Sequence, residues 1–336
     1  MKVLIIGGTG LLGFEAAKLL IKDNHEVISF ALPPKPDYLD IPNNMEIIYK
    51  NYLELTDEEI LRYMNGCNSL VFAAGIDERV EGSPPIYDLY YKYNISPLER
   101  LLPLAKKANI KSAVILGSYF SYFDKIWGKL NLTKHHPYIK SRVDQMNYAL
   151  SLASDAFSVS VLEIPYVFGI QPGRKPVYTI LVNELKKMKK RTYWPKGGTA
   201  MVTTRQVGEA IVGAIKLNKS GTYPLGYYNM TWKEMLTIFH EALGVPDKKV
   251  VTIPTWIYKL FARSIQKSYK KRNIESGLNL VKFGDLTSKN QFISKDIAAI
   301  KLGVSDDDIK PAIIASVKLS NEALENKIKL ENMRYK

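Results

Sequence analysis

A doubly wound parallel α/β sheet with a smaller C-terminal domain is the fold this sequence predicts, on three observations. Short β-branched and aliphatic runs alternate with amphipathic stretches through the first two-thirds of the chain, as repeated strand–helix units do. Those runs lack a clean apolar–polar alternation, which suits a parallel sheet covered on both faces. The first run enters the glycine-rich turn Gly7-Gly8-Thr9-Gly10-Leu11-Leu12-Gly13 and leaves through a helical pattern from Phe14 to Leu20.

That opening unit carries the most chemistry. A side chain in such a turn would block the bend, the approach of a phosphate, or the packing of helix on strand, and Gly7, Gly10 and Gly13 sit where those tasks fall. The helix that follows aims its unpaired N–H groups and positive dipole end at whatever lies over the turn, so an anion is its natural occupant. Apolar strand residues before the turn and Ala16, Ala17, Leu19, Leu20 and Ile21 after it supply the context that a dinucleotide site requires.

The remaining elements follow in order. Strands are expected at Lys2 to Ile6, Glu26 to Phe30, Glu46 to Tyr49, Ser69 to Phe72, Ser112 to Leu116 and Ser158 to Ile164. Helices fill the gaps at Gly13 to Asp23, Thr56 to Met64, Ile86 to Ala108 and Tyr138 to Leu152. After Gly169 the pattern breaks at Gln171-Pro172-Gly173, and a Lys-rich helix from Thr179 to Lys190 leads to a turn at Gly197-Gly198. A short strand and helix follow over Val202 to Leu217, and the rest reads as a smaller helical domain with helices at Trp232 to Leu243 and Thr255 to Tyr269. Residues 1–170, with 200–217 returning, form the expected dinucleotide domain; 171–199 and 218–336 form the smaller one, ending in a helix or frayed tail from Ser320.

Two segments suggest an acid/base centre. Moving a hydride to or from a carbon that bears oxygen requires a proton on that oxygen to move too, which calls for one hydroxyl acid/base and a second hydroxyl to hold the oxygen. Ser118 after the fifth strand and Tyr138 at a helix start can converge on the crevice at the strands' C-terminal ends. Ser121 is the alternative serine. A tyrosine titrates near ~10 in water and becomes a base near neutrality only beside a cation.

The glycines at positions one, four and seven of the turn with Thr9 inside, taken with Ser118 and Tyr138-Ile139-Lys140-Ser141-Arg142, resemble the extended short-chain dehydrogenase/reductase superfamily, in its NAD-dependent epimerase/dehydratase branch. The resemblance runs from Met1 to about Gly244 and implies a Rossmann-type sheet. It makes Gly7, Thr9, Gly10, Leu11, Leu12 and Gly13 cofactor contacts, and implies that Ala73, Ala74 and Gly75 line the cofactor ribose while Asn94 supports the active-site backbone. It places Pro165 and Val167 under the nicotinamide, and assigns Tyr138 as acid/base with Ser118 beside it. The family's cation is a lysine four residues after the tyrosine, where this chain has Arg142. An arginine still favours the phenolate, but it is bulkier, keeps its proton and bonds with different geometry. Ordinary catalysis, altered chemistry, and cofactor binding without turnover all stay open. Glu163 stands where the family has an arginine. The resemblance also implies a homodimer built through long helices.

Cofactor choice turns on the end of the second strand, where no acid follows Ser29-Phe30-Ala31 to hold a ribose 2'-hydroxyl. Lys35 suits a 2'-phosphate and Asp37 stands too far along, so the reading leans to NADP over NAD.

Composition narrows the classes. With 46% apolar residues over 336 positions, the chain fills a core and is not disordered as a whole. One cysteine, Cys67, makes no internal disulfide and points to the cytoplasm; four histidines give no metal cluster. No apolar run reaches membrane-spanning length. The net charge of +14 favours acidic partners, of which a sugar nucleotide is the expected substrate; Arg174, Lys175 and Arg205 are candidates to clamp its diphosphate. No nucleic-acid reader motif is visible. Trp256, Ile257, Tyr258, Leu260 and Phe261, followed by Arg263, Lys267, Lys270, Lys271 and Arg272, read as a helix that covers a pocket or docks on the core, with membrane-surface contact as the alternative. The competing function is a non-catalytic dinucleotide sensor or scaffold, which Arg142 permits.

Overall fold

The structure, a computed structural model, describes residues 1–33, 39–327 and 330. Its strands are β1 (Lys2–Ile6), β2 (Glu26–Ala31), β3 (Met45–Tyr49), β4 (Ser69–Phe72), β5 (Ser112–Leu116), β6 (Ser158–Glu163), β7 (Tyr166–Phe168), β8 (Arg191–Pro195), β9 (Gly198–Thr203), β10 (Gly221–Pro224), β11 (Tyr228–Thr231) and β12 (Lys249–Ile253), with shorter pairings besides. Seven of them form one sheet in the order β10-β6-β5-β4-β1-β2-β3, every pair parallel. β1 lies between β2 and β4, so the direction of winding reverses there and opens a crevice beyond its C-terminal end.

Burial on both faces explains the continuous apolar runs. Val3 and Ile5 of β1 face one layer while Leu4 and Ile6 face the other, and all four are fully buried. The first layer holds α1 (Leu11–Lys22) and a later helix, Thr204–Leu217; the second holds α2 (Asp57–Met64), α3 (Ser96–Lys107) and the helix Pro137–Ser151. The remaining helices of eight or more residues, in chain order, are α4 (Tyr119–Ile126), α5 (Pro137–Ser151), α6 (Thr179–Lys187), α7 (Thr204–Leu217), α8 (Trp232–Ala242), α9 (Thr255–Lys271), α10 (Leu280–Thr287) and α11 (Ile309–Leu324). Thr56 and Thr203 start α2 and α7 with reciprocal capping bonds to Glu59 and Gln206. α7 packs on α1 at Gly208, where a β-carbon would lie 3.0 Å from the Glu15 backbone.

Several elements differ from the sequence expectation. β10 was not expected: it is a four-residue edge strand ending in Pro224, too short to show a pattern. α1 starts at Leu11 because Gly10, in extended conformation, already serves as its cap. The later part of the chain is not helical alone. β7, β9, β11 and Asn290–Gln291 form a second small sheet, and β8 pairs with β12. Those strands are short and carry Thr, Tyr, Asn and Arg, which blurs their periodicity. The stretch from Trp256 docks through one face only, with Ala262 its one fully covered residue. Among the described residues no helix is long and apolar enough to cross a membrane. Lys35 and Asp37 lie outside the described residues.

Candidate active site

The glycine turn sits at the end of β1. Gly7 adopts φ +88°, and a β-carbon there would stand 3.0 Å from the Ala73 carbonyl at the end of β4. At Gly13 a β-carbon would meet the Gly7 carbonyl at 2.4 Å, so helix and turn touch backbone to backbone. Among the described residues no side chain caps α1, and no acid lies in its first turn, leaving its N-terminal N–H groups and positive end for a ligand. Gly8 N–H donates to Ser29 Oγ at 2.9 Å, which ties the turn to β2. Leu12, Ala73 and Val167 pack on one core layer, whereas Ala74 packs on the opposite one; Leu11 is half-buried.

A strap crosses this turn. The Thr9 carbonyl accepts from Gln171 Nε2 at 3.1 Å and from Arg174 Nη2 at 3.4 Å, and Arg174 Nε donates to Gln171 Oε1 at 2.7 Å. Arg174 therefore stands at the glycine turn. Gln171, which in the sequence opens the break in the strand–helix pattern, is buried there.

Beyond β4 the backbone is held by a buried polar network. The helix leading into α3 contains a π-helical turn, Tyr91–Ile95, that presents Asn94 inward. Asn94 Oδ1 accepts from Ile76 N–H at 2.8 Å and its Nδ2 donates to the Ile76 carbonyl at 3.1 Å. Gly75, at φ +121°, leaves room for that amide: a β-carbon would lie 2.6 Å from Asn94 Oδ1. Arg142 joins from α5, donating through Nη2 to the Ile76 carbonyl at 3.2 Å and through Nη1 to Gln145 Oε1 at 2.9 Å. Gln145 Nε2 in turn donates to the Asn94 carbonyl at 2.6 Å. Arg142 Nε is buried with no hydrogen-bond partner among the described residues. Gln145 was missed by sequence reading, since a helical glutamine carries no motif.

Tyr138 and Ser118 meet over this network. The Arg142 guanidinium lies 5.3 Å from the Tyr138 ring centroid. Burial pushes the Tyr138 phenol above its ordinary range; Arg142 pulls it down, Glu78 pushes it up, and the Ser118 hydroxyl again favours the phenolate. Ser118 also caps α4, accepting from Phe120 N–H at 3.4 Å. Ser121 turns elsewhere, with its Oγ 2.6 Å from both the Ser118 carbonyl and Glu163 Oε1. Pro165 is buried between β6 and β7, and Val167 pairs with Val202 of β9.

The later part of the chain closes this centre. Tyr138 N–H donates to the Gly277 carbonyl at 2.9 Å. The Tyr138 ring packs edge-on against Tyr90 and Phe120. Glu78, raised to about 6 chiefly by burial and then by Asp77, acts electrostatically on Tyr138, Tyr166 and Arg142. Arg205 is not in the cleft; it pairs with Asp307 and Glu209.

Residues 3–216 match the family described as NAD dependent epimerase/dehydratase. No curated protein sequence matches. Among solved structures, gox2253 superposes with a TM-score of 0.70 at 16% identity, covering 98% of this chain and 99% of that one. UDP-glucose 4-epimerase from Bifidobacterium longum, in complex with NAD+ and UDP, gives 0.67 at 16% identity over 98% and 100%. MoeE5 in complex with UDP-glucose and NAD gives 0.65 at 13% over 96% and 100%. These likenesses show a shared fold.

Proposed function

The chain belongs to the NAD dependent epimerase/dehydratase family, and on that premise we propose that it epimerises or dehydrates a nucleotide-linked sugar at a hydroxyl-bearing carbon, with Tyr138 as acid/base. The observation that carries this reading is the buried Tyr138 phenol set between the Arg142 guanidinium and the Ser118 hydroxyl.

The chain's own features fit a bound dinucleotide. The glycine turn leaves space that β-carbons would fill, α1 is uncapped, and Arg142 Nε is a buried donor in need of an acceptor. Gly7 to Gly13 would hold the pyrophosphate; Ala73, Ala74, Gly75, Tyr138, Arg142, Pro165 and Val167 would surround the nicotinamide half, with Asn94 fixing the backbone between them. NAD supplies, when bound, the acceptor and donor of hydride. NAD is preferred over NADP because the lean to NADP rests on Lys35, outside the described residues, while the MoeE5 and Bifidobacterium longum epimerase structures above are complexes with NAD and NAD+.

Tyr138 takes the proton from the sugar hydroxyl and returns it, Arg142 stabilises the phenolate through charge, and Ser118 holds the substrate oxygen. A uridine diphosphate sugar is the first substrate class to try, since MoeE5 binds UDP-glucose. Self-association through the helices Ser96–Lys107 and Pro137–Ser151 is part of the reading, to be checked by light scattering. So is a cytoplasmic location, supported by the lone buried Cys67.

The test is conversion of uridine diphosphate sugars by purified protein, with bound NAD quantified by mass. Tyr138→Phe should keep the cofactor and lose turnover by a factor on the order of 10²–10⁴. Unchanged turnover in that variant overturns the assignment; cofactor without turnover in the natural chain makes it a dinucleotide-binding protein instead.

A further inference from the structure

The geometry points to the outer face of α9 as a docking surface for an anionic lipid bilayer. Residues 255–272 contain six cations, Lys259, Arg263, Lys267, Lys270, Lys271 and Arg272, and no acid. One side of the helix is fixed to the protein: Ala262 is buried, Tyr258 and Lys259 pack on Gly284 of α10, and the Tyr269 hydroxyl bonds Glu81. The other side faces solvent with four large apolar residues. Trp256 is 63% exposed, Leu260 51%, Phe261 66% and Ile265 49%.

Such exposure is costly in water unless something covers it, and among the described residues Phe261 and Trp256 are the two most exposed large hydrophobic side chains, with Ile180 of α6 next. Lys259 makes the helix's one ion pair among the described residues, with Asp285, so the outer cations keep their charge for a partner. Apolar residues interleaved with cations along one helix face are what an interfacial helix needs: the rings enter the acyl boundary while the lysine stems reach headgroup phosphates. A pocket of about 400 Å³ at the start of α9, lined by Lys196, Trp256, Lys259, Asp285 and Lys289, adds two further lysines at the same level. A second copy of the chain is a poor occupant, because a two-fold contact would set the cations of one α9 against those of the other. The whole-chain charge of +14 draws the protein toward an anionic leaflet before the helix inserts.

The full-length protein is titrated with vesicles of phosphatidylcholine plus phosphatidylglycerol, and with phosphatidylcholine alone, following co-sedimentation and tryptophan emission. Binding to the anionic vesicles with a blue shift that Trp256→Phe removes is the expected result. Lys267→Gln/Lys271→Gln should weaken partition by about 25-fold, taking roughly fivefold for each cation near the surface. Leu260→Glu/Phe261→Glu should abolish it, with unchanged circular dichroism because both residues are exposed. Lys107→Gln/Lys111→Gln, which shifts net charge equally at the far end of the sheet, should keep the blue shift. No binding to anionic vesicles at low salt overturns the proposal. So does binding that survives Leu260→Glu/Phe261→Glu, which marks mere polycation adhesion, or a dimer dissolved by that variant without any vesicle binding.

Discussion

Glu163→Gln should make the protein more stable than its parent at neutral pH and leave the two alike in acid. Ser121 Oγ has one proton and lies 2.6 Å from two oxygens, the Ser118 carbonyl and Glu163 Oε1. Both contacts are satisfied only if Glu163 carries a proton and donates to Ser121, which then donates to the Ser118 carbonyl. Burial supplies the reason: it pushes the Glu163 carboxyl from an ordinary 4.5 up to about 7, against the opposing pull of the Ser121 bond and of Lys125.

The sign follows from linkage. Between those two values the folded protein holds a proton that the unfolded chain has released, so stability falls as pH rises through the window and is level on either side. The full excursion is about 3 kcal/mol, taking ~1.4 kcal/mol for each pH step of tenfold proton activity. A glutamine keeps a donor for Ser121 and titrates nowhere. Urea unfolding of parent and variant across mildly acid to mildly basic buffers measures the difference, which should grow toward neutrality by about that amount. Stability curves that run parallel through the window would falsify the buried neutral carboxyl.

Other substitutions test the rest of the site. Arg142→Met removes the charge beside Tyr138, so the basic limb of the pH–rate profile should move to higher pH; Arg142→Lys should restore it toward the parent. Gly13→Ala puts a β-carbon 2.4 Å from the Gly7 carbonyl; it should cost about 1–3 kcal/mol in unfolding measurements and reduce co-purified NAD. Asn94→Leu strands the Ile76 N–H, while the Ile76 carbonyl keeps its bond from Arg142, and a loss of about 1–3 kcal/mol is expected by denaturant unfolding. Arg174→Ala should weaken NAD binding in calorimetry while Tyr138 turnover at saturating cofactor persists, since its contacts are to the Thr9 turn and Gln171.

What could be read from sequence was local or periodic. The β1 run, its glycine turn and α1 are contiguous, and each constraint lies within a few residues of its neighbour. Strands buried on both faces announced themselves as apolar runs. Ser118 and Tyr138 stand out in the sequence because hydride chemistry calls for two hydroxyls and because Tyr138-Ile139-Lys140-Ser141-Arg142 resembles a family motif, and the fold brings the two side chains together. What escaped was made by distant residues: Gln171 reaching Thr9, Gln145 reaching the Asn94 carbonyl, and Gly277 receiving the Tyr138 N–H. A glutamine or a glycine carries no mark of the partner that topology will bring to it. The small second sheet escaped for another reason, since strands of three to six residues hold too few repeats to show a period.

The two departures from the resembled pattern, Arg142 and Glu163, invite the idea that a cation and an anion have traded places and now pair. The hydrogen bonds argue otherwise. Arg142 spends its terminal nitrogens on Gln145 and on the Leu116 and Ile76 carbonyls, while Glu163 bonds Ser121. Each substitution is absorbed by its own surroundings, one by carbonyls and an amide that tolerate a permanent charge, the other by a hydroxyl that accepts from a neutral acid. Charge at the centre is therefore not cancelled internally. Arg142 keeps its influence on the Tyr138 phenol, opposed by Glu78 rather than by Glu163. Glu163→Gln should for that reason alter stability with pH while leaving the basic limb of the pH–rate profile in place, and Glu78→Gln should move that limb to lower pH. A shift of the limb by Glu163→Gln would mean that the two departures are coupled after all.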